Sequence, residues 1–415
     1  MNKTKSFEIP KMQVYRAYEL VKSNKGAPGI DEITLEEFEE NLKNNLYKIW
    51  NRMSSGTYFP PAVKAVGIPK KDGGTRILGI PTVADRIAQM VVKLNFEEKV
   101  ERYFLSDSYG YRPGKSAHNA IEVTRERCWK YNWVLEYDIK GLFDNIDHGL
   151  LMKAVKIHTD NPWELLYIQR WLKTPFQTKD GEIVTRTKGL PQGGVISPIL
   201  ANLFLHYTFD IWMKNNYPNN PWARYADDGL IHCKSEKQAV YIKDCLNRRF
   251  KECNLEMHPT KTKIVYCKDS NRHGNHPIIQ FTFLGYTFKP RKAKGKEGKE
   301  FTSFLPAISN TAKSSIHKTI KRWRLLWMTN KDIEDIAEIY NPVIRGWLNY
   351  YGKYGKKELA NVLESINVHL TCWIMRKYKK YKGKSKSARE LLRKISDENN
   401  TLFAHWKVGI SPKAG

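Results

Sequence analysis

Residues 222–233 read Trp222-Ala223-Arg224-Tyr225-Ala226-Asp227-Asp228-Gly229-Leu230-Ile231-His232-Cys233, two short apolar stretches on either side of a carboxylate pair. The pattern predicts strand, tight turn and strand, with Asp227 and Asp228 at the tip. Strand alternation would send neighbouring side chains to opposite faces, whereas a turn lets both lie near one spot. Two adjacent acids at a buried tip repel unless a cation holds them, and hard oxygen ligands suit Mg²⁺. Taken alone, the tetrapeptide equally describes a solvated, Asp-rich turn.

A second acid breaks that tie. Trp133-Val134-Leu135-Glu136-Tyr137 reads as a strand ending in Asp138, followed by Ile139-Lys140-Gly141-Leu142-Phe143-Asp144. An Asp at the end of a central strand is costly to bury without a partner. Asp138 with Asp227 and Asp228 could ligate two metals about 3.5–4 Å apart, the clamp used for in-line nucleotidyl transfer. Tyr-Ala-Asp-Asp with an upstream Asp-x-x-x-x-Phe-Asp resembles the palm of a reverse transcriptase. The resemblance implies Asp138, Asp227 and Asp228 as catalytic residues. It also implies two Mg²⁺ ions held by these acids and Ile139, with Mn²⁺ as a substitute.

Composition agrees with a polyanionic partner. In 415 residues there are 70 Lys+Arg against 43 Asp+Glu, a net charge of +27 and a pI near 9.6. Nucleic acid is the first candidate, although ribosomal and membrane-surface proteins share the bias. No apolar run approaches the ~18 residues of a transmembrane helix. The start, Met-Asn-Lys-Thr-Lys-Ser, has no signal-peptide stretch behind it. The six cysteines include no Cys-x-x-Cys pair and read as reduced thiols. His258, His273 and His276 near Cys253 and Cys267 fit no zinc spacing. The expected location is the bacterial cytosol or nucleoid, with no membrane and no obligatory protein partner.

Further strings fall in the order of the same family. A helix over 11–22 is broken by Lys25-Gly26-Ala27-Pro28-Gly29-Ile30-Asp31, and Thr34 with Glu37 offers a capping box for the next helix. The loop is a plain connector by composition. Its string resembles the N-terminal extension loop of group II intron reverse transcriptases, which implies template contact at Gly26, Ala27, Pro28 and Gly29. Residues 63–81 predict a hairpin turning at Asp72-Gly73-Gly74, with Lys70 and Arg76 flanking the turn. In the family, matching residues grip the incoming triphosphate, Lys as a point charge and Arg as a planar fork. Tyr109-Gly110-Tyr111-Arg112 follows a helical stretch over 83–104 and precedes a helix over 117–130 that Ser116 could cap. Arg112 is assigned to the template. Phe143 reads as a core aromatic from the residues alone. The resemblance instead makes it the steric gate against a ribose 2′-hydroxyl.

Gly189-Leu190-Pro191-Gln192-Gly193-Gly194 is a glycine-rich turn before a helix over 198–213, with Ser197 as its N-cap. The family places this Gln192 against the incoming nucleotide. Pro259-Thr260-Lys261, before a predicted strand, matches its nucleotide-site lysine. Leu284-Gly285-Tyr286 resembles its primer grip. Residues 289–299, six Lys/Arg against one Glu, read as a loop between domains. Beyond it apolar residues recur at helical steps through 313–327, 332–351 and 356–380, with Pro342 expected to kink or restart the second helix. Tyr340-Asn341-Pro342-Val343-Ile344-Arg345-Gly346-Trp347 resembles the maturase-specific region. Residues 376–394 carry ten Lys/Arg against Glu390 alone, and Lys379, Lys380, Lys382 and Lys384 are expected to touch RNA.

The expected fold is α+β, a right-hand polymerase with fingers and palm over 1–300, including an N-terminal extension over 1–60. A helical thumb or maturase domain follows over 301–375, then a basic nucleic-acid-binding tail over 376–415. The resemblance implies an RNA-directed DNA polymerase of the group II intron type. It would copy RNA from a DNA or RNA primer with dNTPs, and bind intron RNA to assist splicing and mobility. The string ends at Gly415 before any Cys-pair or His-rich endonuclease module, so second-strand cutting is not expected of it. Two alternatives stand beside this reading. One is a freestanding domesticated or defence-associated reverse transcriptase. The other is a non-catalytic splicing maturase, which need not retain Asp138, Asp227, Asp228, Lys70 and Arg76.

Overall fold

Trp222–Tyr225 pairs antiparallel with Asp228–Cys233, with Tyr225 opposite Asp228, so the loop is the two residues Ala226 and Asp227. The computed structural model describes residues 5–69, 74–295 and 297–413, and Lys70 lies outside them. The chain forms two units: residues 1–120 with 135–264, and residues 121–134 with 265–415.

The acid-bearing hairpin lies in a four-stranded sheet. Its order is Trp222–Tyr225, Asp228–Cys233, Trp133–Tyr137, Lys263–Tyr266. Gly229 to Cys233 are all buried, which explains a continuous apolar run where an exposed hairpin would alternate. The helix Ser197–Leu205 is buried at nearly every position and passes into a π-helical turn, His206–Asp210. Ser197 lies inside that helix and not at its cap, because Ile196 takes the N-cap position without a side-chain bond.

A second sheet carries the hairpin Val63–Pro69 with Thr75–Ile80, extended by Phe176–Gln177 and Ile183–Val184. The helices Lys11–Asn24, Leu42–Ser54, Val83–Glu101 and Pro162–Lys173 belong to the first unit. Asp85 joins three of its segments. It accepts from the Tyr58 hydroxyl at 2.9 Å, Trp171 Nε1 at 2.8 Å and Gln89 Nε2 at 2.9 Å. The expected capping box forms: Glu37 N donates to Thr34 Oγ1 and Thr34 N to Glu37 Oε2.

The second unit is built differently from the sequence expectation at 289–299. That stretch is no interdomain loop. Tyr286–Lys294 pairs with Glu300–Ile308 over nine positions and with Phe281–Phe283 on its other side. Lysine and proline are poor strand formers, but pairing across the hairpin and an Arg291–Glu358 ion pair hold the ribbon. Pro342 does not break its helix either, for Ile333–Tyr351 runs through it. The proline faces solvent, and the neighbouring Asn341 is fixed by Nδ2 to the Leu402 carbonyl at 2.9 Å and by Ala404 N to its Oδ1 at 2.8 Å.

The helices Asn310–Arg322, Ile333–Tyr351, Lys356–Lys377 and Ser385–Glu398 share one apolar core that includes Ile344, Leu370, Trp373, Leu392, Phe403 and Trp406. The basic segment after Arg376 is therefore folded into this unit and does not trail from it. Asn367 anchors its end. Its Oδ1 accepts from His405 Nε2 at 2.9 Å and Trp406 Nε1 at 2.8 Å. His405 is wholly buried, and burial pushes its imidazole down to about 3. The folded state therefore binds the proton less readily than the unfolded chain. The associated stability is intact above the ordinary value near 6.5 and is lost as the pH falls from there towards 3. Urea unfolding of wild type at pH 5 against pH 7 should show roughly 2 kcal/mol of acid loss that His405→Gln does not. Equal acid loss in both proteins would refute this assignment.

Candidate active site

The acid-bearing turn is strained and heavily buttressed. Ala226 has a φ of 56°, the positive first loop residue of a II′-type turn and a conformation worth about 1 kcal/mol or more against a non-glycine residue. Arg224, fully buried in the preceding strand, offsets that strain. It reaches Asp210 through Nε at 2.8 Å and Nη2 at 2.7 Å, Ser108 Oγ at 2.8 Å, Asn202 Oδ1 at 3.1 Å and the Ala226 carbonyl at 3.2 Å. Asn202 in turn donates to the Gly110 carbonyl at 2.6 Å. A Cβ on Gly110 would stand 2.5 Å from Ala226 N, so residue 110 must be glycine for the loop to lie against the turn.

Asp138 ends its strand beside this turn. Its carbonyl accepts from His258 N at 2.8 Å, and Lys140 N donates to Glu256 O at 2.9 Å. This bridge straddles Ile139 and leaves the Ile139 carbonyl out of its bonds. Burial raises the Asp227 carboxyl, and Asp138 adds to the effect. Asp228 is pushed up to about 7, first by the protein packed around it and then by Asp227 and Asp138, although its own surface opens to solvent. Two buried carboxyls raised in this way beside a third acid form a site short of positive charge. The positive charge nearest Asp138 is the Lys261 ammonium, 2.9 Å from Asp138 Oδ2. Among the described residues no three His, Cys, Asp or Glu side chains stand grouped so as to hold a metal ion. The acids, with the Ile139 carbonyl, are nevertheless an all-oxygen donor set of the kind hard divalent cations take.

A polar relay flanks the acids. Arg76 Nε donates to Gln192 Oε1, and Gln192 Nε2 donates to Asp144 Oδ1 at 3.1 Å. The Gln192 carbonyl accepts from Gly79 N at 2.7 Å, tying the glycine-rich loop to the finger strand. Phe143 is half-buried, and its carbonyl accepts from Leu190 N at 2.6 Å. It is thus not the plain core aromatic that its residue type suggested.

Residues 68–288 match the family model for reverse transcriptase (RNA-dependent DNA polymerase), and residues 313–392 match the maturase-specific domain of group II introns. The chain belongs to the reverse transcriptases. The group II intron-encoded protein LtrA of Lactococcus lactis subsp. cremoris is 28% identical over 423 residues, covering 81% of this chain and 68% of that protein. Protein YkfC of Escherichia coli is 30% identical over 297 residues, covering 62% of this chain and 78% of that one. Together these matches make it a reverse transcriptase–maturase of the group II intron type, an RNA-directed DNA polymerase in the right-hand fold that also serves splicing. Its family uses divalent metal ions and works on RNA. No helix among the described residues is long and apolar enough to cross a membrane.

Three expectations for this reverse transcriptase change with the structure. Arg112 is not available to a template. Its side chain is 6% exposed, and the guanidinium is spent on Glu101 at 2.7 Å and the Leu105 and Ser108 carbonyls at 2.6 and 2.8 Å. Tyr286 cannot touch a primer, being fully buried with its hydroxyl on the Tyr350 carbonyl. Leu284 and Gly285 remain half-exposed in the turn, where the Tyr350 hydroxyl donates to the Leu284 carbonyl at 2.8 Å. The Gly26–Gly29 loop is clamped from below by Arg86, which donates to the Lys25 carbonyl at 3.3 Å and the Ala27 carbonyl at 3.0 Å. A Cβ on Gly26 would collide with that guanidinium, so this glycine serves packing while Ala27 stays exposed.

Sequence reasoning missed Arg224, Asp210, Gly110, Arg86 and Asp144. Arg224 carried one usable signal: a lone Arg inside a strand that is otherwise buried must have a carboxylate partner.

Proposed function

We propose that the reverse transcriptase extends a DNA or RNA primer on an RNA template with dNTPs, using two Mg²⁺ ions held by Asp138, the Ile139 carbonyl, Asp227 and Asp228. The observation that carries this reading is that burial raises both Asp227 and Asp228, with Asp138 adding to each and Asp227 to Asp228, a charge arrangement that suits bound cations. Bound there, the ions supply Lewis acidity to the attacking hydroxyl and to the triphosphate, and Mn²⁺ can replace them. Arg76 and Lys261, with Lys70, supply positive charge for the triphosphate. Gln192, oriented by Asp144 and Arg76, presents its amide to the nucleotide. Within the loop Gly26-Ala27-Pro28-Gly29 the exposed Ala27 bears on the template, while Gly29 is buried against Thr82 and serves packing as Gly26 does, and the turn Leu284-Gly285 bears on the primer. Functionally, residues 1–300 act as fingers and palm with an extension over 1–60, and 301–375 act as thumb and maturase domain. A pure splicing factor would have no need of the acids or of the Arg76–Gln192–Asp144 relay. The test is extension of a primed RNA template by purified protein. Product that needs Mg²⁺ or Mn²⁺ and is lost on chelation supports the reading, and no product with either metal ends it.

Phe143 blocks a ribose 2′-hydroxyl by shape. Phe143→Ala should raise ribonucleotide incorporation relative to dNTPs by about tenfold or more, since rejection by shape is lost. An unchanged ratio in single-nucleotide incorporation would return Phe143 to a packing role.

Residues 376–415 contribute to holding RNA. Lys379, Lys380, Lys382 and Lys384 are all exposed. Neutralising all four should flatten the plot of log affinity against log salt for structured intron RNA by up to about three units in slope. Equal slopes for the two proteins would mean that these lysines are merely solvated.

A further inference from the structure

Trp327 is 68% exposed. It ends a three-residue helical turn, Leu325–Trp327, whose first residue is buried. The turn is pinned to the C-terminal end of the helix Lys356–Lys377. Trp373 Nε1 donates to the Met328 carbonyl at 3.0 Å, and Lys377 Nζ to the Lys331 carbonyl at 2.6 Å. Trp327 is thus held outward by its backbone. The Arg376 guanidinium lies over its ring, 4.1 Å from the centroid. Lys377 is taken by Asp332 at 2.5 Å, whereas among the described residues Arg376 makes no ion pair. The surface continues as alternating rings and cations, with Tyr378 41% exposed and Lys380 lying 5.8 Å from the Tyr381 ring.

We propose that Trp327, with Arg376 on its face, is a stacking site for an unpaired nucleobase. An indole left largely in water gives up the free energy that burial would return. Folding therefore leaves this ring uncovered at a cost that a ligand can recover. The ligand must be flat to use the ring and anionic to use Arg376 and the lysines, and a nucleotide in a single strand is both. A duplex hides its base faces and would meet only the charges. A protein partner would be matched by an apolar surround, whereas here Arg376 lies on the ring and the chain after it carries the exposed Lys379 and Lys380. The inference deepens the RNA-binding reading above and is independent of the polymerase site.

The test is fluorescence anisotropy with labelled oligoriboadenylate of about twelve nucleotides, the matching oligodeoxyadenylate and an RNA duplex, each over a salt series. Trp327→Ala should weaken oligoriboadenylate binding by roughly 5- to 100-fold with an unchanged salt slope, because a neutral ring releases no counterions. Trp327→Phe should restore most of the affinity, which excludes misfolding. Arg376→Ala should weaken binding and lower the slope by about one. Duplex affinity should not follow the Trp327→Ala loss. Loss on the RNA strand alone assigns the site to RNA, and equal loss on the DNA strand assigns it to any unpaired base. Wild-type affinity of Trp327→Ala for single strands would overturn the proposal and leave the ring to a protein partner. So would an equal loss on the duplex, or a flattened salt slope. Primer extension by wild type in the same preparation decides the polymerase reading separately, since its failure would leave these binding results standing.

Discussion

Asp227→Ala is expected to lower cDNA synthesis on a primed RNA template by roughly 10³-fold or more, a barrier increase of about 4 kcal/mol. RNA affinity should stay within about twofold, because the variant removes a negative charge from a protein that binds phosphates. The electrostatics of the turn add a second expectation. Burial and Asp138 hold the Asp227 carboxyl above its ordinary range, so its ionised form strains the metal-free fold at neutral pH. Removing it should leave the melting temperature in chelator unchanged or higher. Loss of catalysis with stability retained is the signature of a residue kept for chemistry. Single-turnover extension, filter binding and thermal melting on the same preparation check all three. Extension within tenfold of wild type would sink the assignment of Asp227 as a catalytic ligand.

The second large effect lies beneath the turn. Arg224→Met should destabilise the protein by about 3–5 kcal/mol, because it strands the Asp210 carboxylate with no surface access. Burial alone would raise the Asp210 carboxyl, but Arg224 more than reverses this and keeps it below its ordinary value. The pair's stabilisation is therefore present above the ordinary carboxylate range and fades as the pH falls through the lowered value. Asp210→Leu added to Arg224→Met should recover much of the stability, since an apolar pair can replace a buried ionic one. It should not recover extension, because the Ala226 carbonyl and Ser108 lose their donor. Denaturant titration of the single and double variants, with extension assays beside it, separates the two roles. A single variant as stable as wild type, or a double variant with full activity, would show that Arg224 neither braces nor aims the turn.

The reason Asp227 was legible in sequence and Arg224 was not is one of range. The catalytic hairpin is a local statement: apolar runs, a two-residue loop and a carboxylate pair all fall within a dozen residues. The same holds for Thr34 with Glu37, whose capping bonds span three positions. Arg224 reaches Ser108 across 116 positions, and no local pattern marks that partner. Arg112 was misread for the same reason in miniature. An Arg among tyrosines suggests nucleic acid until Glu101, eleven residues earlier, is seen to take the guanidinium. The strand over 289–294 went unread because its Lys, Pro and Ala have weak strand propensity and owe their conformation to partners across the hairpin. Pro342 shows the converse. A strong local breaker is overruled because the surrounding helix carries Ile336, Ala337 and Ile344 into the core.

The division of the chain has a consequence for how the protein is made. Residues 121–134 belong with residues 265–415, and their partners are far downstream. Trp129 Nε1 donates to the Phe304 carbonyl at 3.3 Å, the Arg125 guanidinium lies 5.1 Å from the Tyr354 ring, and Glu122 pairs with Lys353 at 3.0 Å. Trp129 leaves the ribosome 175 residues ahead of Phe304. At ~5–20 residues per second this is a wait of roughly 10–35 s. Throughout that interval the partners that Trp129, Arg125 and Glu122 take in the folded chain have not yet been made. The same arrangement also sets where the gene can be divided. A break after Ile264 strands this segment on the wrong fragment, so two separately expressed pieces can complete the second unit only by exchanging it between chains.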